Sequence, residues 1–227
     1  MKKRMHLKRR HKKINFFLLI LIILFLIVVF SFVKVVNIKP LIINYSEMEA
    51  NKLATLIINT AIKEENILEN KNLYEINNNV INYDTKKINE ILVSLTLKIQ
   101  KYFAAIEEGD IDDIGEDILE KYNYDSLKKG VILYLPMGYL TGSPFLANYG
   151  PKMPLKISLI GDVRTDIREK ITNYGLNNAL LKIYIYVEVV TQSTIPLISN
   201  VQKTVVEYPI VLKVIEGNIP SFYFENR

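Results

Sequence analysis

Cysteine is absent from the 227 residues, and so is tryptophan. Without thiols there can be no disulfide framework, no thiolate zinc site and no cysteine nucleophile, so the fold must be held by its own core. The two histidines, His6 and His11, both lie in the N-terminal tail. Everything after residue 11 therefore lacks an imidazole base, ligand or pH switch. Small residues are also scarce early on: the first alanine is Ala50 and the first glycine Gly109.

The formal charge of +5 comes from one short segment. Residues 1–13 hold eight Lys or Arg (Lys2, Lys3, Arg4, Lys8, Arg9, Arg10, Lys12, Lys13) and no acid, leaving 21 basic against 24 acidic residues elsewhere. The basic isoelectric point is thus no sign of a nucleic-acid surface, and none is expected as a partner. With 49% hydrophobic and 23% charged residues the remainder has globular composition.

Residues 14–33 contain only Asn15 and Ser31 as polar members. At about 1.5 Å per residue a helix of this length spans the roughly 30 Å hydrocarbon layer. The expectation is an uncleaved signal-anchor, because no small-residue cleavage site follows the apolar run. The cationic end then stays in the cytoplasm and the C-terminal portion lies outside the membrane. This gives a basic tail at 1–13, a transmembrane helix at 14–33, an extended linker at 34–44 containing Pro40, and an extracytoplasmic α+β domain at 45–227.

Within that domain Ser46 and Glu49 have capping-box spacing, predicting a helix start there. Ala50, Leu53, Ala54, Ile57, Ala61 and Ile62 then form an apolar stripe at helical spacing. Short strand-like runs at 73–76 and 80–83, joined by asparagines 77–79, read as a hairpin. Asp84 or Thr85 caps a second helix whose stripe runs Ile88, Ile91, Leu92, Leu95, Ile99, Tyr102, Phe103 and Ile106, with Gly109 ending it. A short acidic helix carrying Ile111, Ile114, Ile118 and Leu119 follows. Beyond Val131 the pattern becomes twofold: Leu155, Ile157, Leu159, then Leu181, Ile183, Ile185, Val187 and Val189, then Ile210, Leu212 and Val214. Pro209 marks a strand start or bulge. The segment 136–154 is too rich in glycine and proline for a regular element. Together these imply amphipathic helices on one face of a mainly antiparallel sheet. The order helix, strand, strand, helix, strand is similar to ring-building domains of secretion and sporulation channels, an analogy at fold level alone.

No catalytic, cofactor-binding or metal-binding residue is assigned. The acidic stretch places Asp110, Asp112 and Gly115 at calcium-loop positions, but Ile114 and Lys121 stand where ligands are required, so a solvated helix face is expected. Paired carboxylates could act on a glycosidic bond without histidine or cysteine, and Glu188 and Glu207 are the acids worth testing. Ser143 with Lys152 lacks the Ser-x-x-Lys spacing of a serine–lysine pair. Tyr134, Tyr139, Tyr149, Tyr174, Tyr184 and Tyr186 are expected in the core or on the sheet surface, since tyrosine favours strands; such rings can also stack on sugars or fill interfaces.

The spaced residues Leu135-Pro136-Met137-Gly138, Thr141-Gly142, Gly150-Pro151, Pro154-Leu155, Gly161-Asp162-Val163, Tyr174-Gly175-Leu176-Asn177 and Glu216-Gly217-Asn218-Ile219-Pro220 resemble the YunB family of sporulation proteins in endospore-forming Firmicutes. The family usually continues after the Gly-hydrophobic-Asn motif with a Gln-Thr run leading to a histidine, whereas Asn178, Ala179 and Leu180 stand here. The resemblance implies a sporulation role at the mother-cell or outer forespore membrane and carries over no catalytic residue. A non-enzymatic factor for envelope assembly or engulfment is the expected function, with the bilayer, other envelope proteins or a second copy as partners. A peptidoglycan-binding or peptidoglycan-cleaving domain is the alternative.

Overall fold

A computed structural model describes residues 16–66, 73–77, 80–141, 145–175, 178–196 and 198–216. The basic tail at 1–13, Ser143, the turn asparagines 78–79 and the motif at 217–220 lie outside the described residues. The chain divides into two compact units, Met1–Leu41 and Ile42–Arg227.

The first helix, α1, runs Phe16–Glu64. In the first unit, the side chains of residues 19–26 are described, and all eight stand 45–64% exposed on every side of the helix. Among the described residues no helix is long and apolar enough to cross a membrane. Of the expected span at 14–33, side chains are described only for those eight positions.

Two expectations near the start of the domain fail. Residues 34–44 are helical rather than extended, and Pro40 sits inside α1. Proline removes one N–H donor at a cost of about 3 kcal/mol, yet α1 continues through it into the buried stripe that begins at Ile42. Ser46 is therefore no cap. It is buried in mid-helix, where its Oγ donates to the Ile43 carbonyl, while Glu49 pairs with Lys52 at 2.7 Å.

The stripe itself packs as expected: Ala50, Leu53, Ala54, Ile57, Ala61 and Ile62 are at most 2% exposed, and Ile58 joins them. Strands β1 (Tyr74–Asn77) and β2 (Val80–Tyr83) pair antiparallel as a two-stranded sheet of their own. Helix α2 (Thr85–Glu108) begins at Asp84, whose Oδ1 accepts the Lys87 N–H at 3.1 Å. It ends at Gly109 with φ +80°, a left-handed cap whose N–H returns to the Ala105 carbonyl. Leu95, Ile99, Tyr102, Phe103 and Ile106 are buried, and the rest of the predicted stripe is half-buried against them. Lys98 clasps Glu65 at 2.8 Å and the Tyr102 hydroxyl donates to Glu64, tying α2 to the end of α1.

Two short helices, α3 (Glu116–Lys121) and α4 (Tyr124–Leu127), follow. Ile111 and Ile114 are buried in the turn ahead of α3 rather than within it. Of the calcium-loop acids, Asp112 accepts from the Tyr124 hydroxyl, and the neighbouring Asp113 pairs with Lys101 at 2.9 Å.

The main sheet comprises β3 (Leu133–Pro136), β4 (Lys152–Leu159), β5 (Arg164–Asn173), β6 (Asn178–Ile195) and β7 (Ile198–Glu216). Strand β6 organises it. One of its edges is taken along its whole length by β7, and the other is shared by β5, paired to 179–188, and β4, paired to 191–194. Strands β4 and β5 thus run in one direction as a single line broken at 160–163, where the Ile160 N–H still bonds to Val190. Strand β3 pairs outside β4. All pairings are antiparallel.

Alternation divides this sheet into two faces. Leu181, Ile183, Ile185, Val187 and Val189 are at most 2% exposed; of these Ile185, Val187 and Val189 lie in one core with the α1 and α2 stripes, joined by Ile157 and Val163. Burying each such side chain contributes about 1.5–3 kcal/mol. The opposite face of the sheet carries no helix among the described residues. Across the β6–β7 pair, Tyr184 faces Pro209 and Ile183 faces Val211, leaving Ile210 as an extra residue. That bulge sits beside the proline, as its missing donor requires.

Candidate functional site

The helix-free face gathers the polar half of the alternation. From β6 it receives Lys182, Tyr184, Tyr186, Glu188, Val190 and Gln192; Arg164, Asp166 and Arg168 come from β5, and Val201, Lys203, Val205 and Glu207 from β7. Arg164 stands opposite Glu188, and Asp166 opposite Tyr186.

Glu188 is the hub. Its side chain is 12% exposed and accepts from Lys203 Nζ at 2.7 Å and from the Tyr186 hydroxyl at 2.5 Å, with Arg164 at 3.9 Å. The Lys203 ammonium and the Tyr186 hydroxyl, in that order, hold its carboxyl below the ordinary glutamate range. The bond to Glu188 correspondingly raises the Tyr186 hydroxyl. The Arg168 guanidinium lies 3.4 Å from the centre of the Tyr186 ring, a close cation–π contact, while its Nε reaches Asp166 at 3.5 Å.

Of the two acids singled out from the sequence, both reach this face. Glu207 faces Tyr186 and Glu188 faces Val205, so the carboxylates are diagonal neighbours with Cα atoms about 7–8 Å apart. Glu188 is nevertheless tuned against proton donation, because a general acid needs its pKa raised. The cluster is a lattice of fixed charges framing two half-buried tyrosine rings, an arrangement suited to recognition.

The tyrosines distribute over the surface. Tyr184 and Tyr186 belong to this face, Tyr174 is 55% exposed beyond β5, and Tyr134, Tyr139 and Tyr149 stand 36–70% exposed around 134–149. Lys152 opens β4, exposed.

Sequence reasoning missed β5 and its arginines, because Arg164–Asn173 alternates few apolar residues. It also missed a polar inset on the covered face. Thr191, Ser193, Gln202 and Thr204 are buried there. Ser193 Oγ donates to Ser46 Oγ at 3.3 Å and Thr204 Oγ1 donates to Asn51 Oδ1. Among the described residues, Thr191 Oγ1 and both amide atoms of Gln202 have no partner. A run of polar inward positions at the end of the β6 alternation was the available signal. On the far side of α1 an open groove of about 700 Å³ is lined by Asn44, Glu47, Asn51, Lys52 and Lys121.

The description "Sporulation protein YunB (Spo_YunB)" matches residues 132–222, a range that takes in every strand of the main sheet and thus the whole uncovered face. A relative, "Sporulation protein YunB" of Bacillus subtilis (strain 168), is 29% identical over 198 residues, covering 82% of this chain and 72% of that protein. The chain is thus similar to the YunB family, through its strand-rich part in the family match and over most of its length in the relative. The similarity supports a role in sporulation. No solved structure matches this chain. The YunB match leaves out α1 and α2, so the strands and their uncovered face are the part the family description follows.

Proposed function

We propose that this chain is a membrane-tethered, non-enzymatic sporulation factor whose extracytoplasmic domain joins other envelope components through the uncovered sheet face. The observation that carries the reading is the state of Glu188. The acid best placed for chemistry is held between Lys203, Tyr186 and Arg164 on an open sheet face. Open faces of fixed charge and amphipathic rings suit macromolecular contact.

Tethering rests on the helix at 16–33, apolar and exposed on all sides where its side chains are described, preceded by a cationic segment. On this reading the N-terminus is cytoplasmic and the domain faces the space outside the mother-cell or outer forespore membrane. The partners are envelope proteins or a second copy.

Spore counts of strains carrying variants test the reading. A Glu207→Gln variant, which leaves the Glu188 contacts in place, should form heat-resistant spores at the parental level. Arg168→Glu, which reverses a charge beside Tyr186, should lower the count while the protein still accumulates. The opposite pattern, spores lost with the glutamine and kept with Arg168→Glu, would transfer the case to catalysis. A peptidoglycan-binding role is favoured by one observation, the paired Tyr184 and Tyr186 rings with Arg168 on an open face. Retention of the full chain on purified sacculi, abolished by Tyr184→Ala with Tyr186→Ala, would establish it.

A further inference from the structure

The cations of β5, β6 and β7 fall into two groups. Around Glu188 each is matched by an acid: Lys203 and Arg164 meet Glu188 itself, and Arg168 meets Asp166. Toward the other end of the same strands Lys170 is the direct cross-strand partner of Lys182, and Lys213 is the partner of Leu181. Among the described residues none of these three lysines has an acid partner. Ammonium groups set directly opposite one another across a strand pair repel and are destabilising.

Apolar side chains surround them. Leu212 faces Lys182 and is 64% exposed, and Val214, facing Leu180, is 40% exposed. Ile171 follows Lys170, faces Leu181 and is 60% exposed. Leu181 is fully buried and points to the covered side of the sheet, so Ile171 and Lys213 belong to that side. Leu212, Val214 and the Lys170–Lys182 pair belong to the helix-free side. This end of the sheet is therefore apolar and cationic on both of its surfaces.

That two-sidedness says what covers it. A folded partner docked on one surface leaves the side chains of the other in water. A bilayer takes both, because its acyl boundary surrounds whatever enters it. Anionic headgroups also supply the missing counter-charge to lysines whose aliphatic stems lie along apolar surface.

We propose that the end of the sheet bearing Lys170, Lys182 and Lys213 is a contact for anionic lipid, with Ile171, Leu212 and Val214 entering the boundary between headgroups and acyl chains. The proposal rests on the sheet alone. It requires neither the anchor at 14–33 nor the partner contact at Tyr186 and Glu188, so it can fail while both of those stand.

The chain has no tryptophan, so an introduced one is the sole indole reporter. Full-length Leu212→Trp and Val205→Trp variants are reconstituted into phosphatidylcholine vesicles. Brominated acyl chains are supplied in the host bilayer in one arm and in added acceptor vesicles in another, each with and without phosphatidylglycerol. The expected result is a loss of L212W emission in at least one arm when phosphatidylglycerol is present, and no loss for V205W. Lys170→Glu in the L212W background replaces a repelling pair by an attracting one. It should raise the melting temperature and reduce the quenching, which separates a lost lipid contact from a lost fold. L212W quenched no more than V205W, quenched equally without phosphatidylglycerol, or quenched as before after K170E would each overturn the proposal. A blue-shifted L212W that bromine leaves unquenched would mean that protein covers this end of the sheet, and would overturn it equally.

Discussion

The two faces of β6 are made of neighbouring residues in one strand, yet they do different work. Ile185 and Val187 look inward and are fully buried beneath α1 and α2; Tyr184, Tyr186 and Glu188 look outward into a charged lattice. The inner set is replaceable in detail, since apolar cores accept volume-conserving change. The outer set is tied by directional contacts, Lys203 and Tyr186 on Glu188 and Arg168 on the Tyr186 ring, that do not accept exchange of type. Apolar burial belongs mostly to one face and directional polar contact to the other.

Truncation on the covered side should produce the largest loss. Phe103 is 2% exposed in the core, and Phe103→Ala should cost about 3–5 kcal/mol in chemical denaturation. An effect near zero would mean that α2 does not seal the inner face. The polar inset offers the opposite sign. Replacing Gln202, whose amide has no partner among the described residues, by methionine should raise stability by about 1–2 kcal/mol and lift the melting temperature. A fall instead would show that the amide is satisfied in solution.

Asp84→Ala should cost about 1 kcal/mol by removing the N-cap of α2, an effect that Asp84→Asn should largely spare. The outer face should show the smallest change, visible mainly in its pH dependence. The folded pKa of Glu188 lies below its unfolded value, so the stabilisation is present above the unfolded value and is lost as pH falls through the folded one. Glu188→Gln should therefore flatten the acid limb of a melting-temperature profile and change little at neutral pH; an unchanged acid limb would remove Glu188 from the lattice.

The periodic segments were legible because burial imposes the period. The stripes of α1 and α2 and the alternation of β6 appear as read, since each element buries one side only. Strand β5 was not legible: its outward residues are charged and its inward ones include Thr165 and Glu169, so pairing with β6 holds it rather than a pattern of its own. The continuous helix through Pro40 was misread because proline and the Ser46–Glu49 spacing are local signals, overridden by the buried apolar stripe that follows from Ile42. Glu188 and Glu207 could be named from the sequence as outward acids. Their cross-strand partners could not, because register between β5, β6 and β7 is a long-range property.

The extra residue at Ile210 divides the β6–β7 hairpin unequally. On one side Leu181, Ile183 and Val211 form a small cluster with Tyr74 and Tyr83 from the separate β1–β2 hairpin, while the other side rests on the central core. The near segment is anchored by few contacts and can fray on its own, so amide protection along β7 should fall in a step at the bulge rather than grade evenly toward the C-terminus.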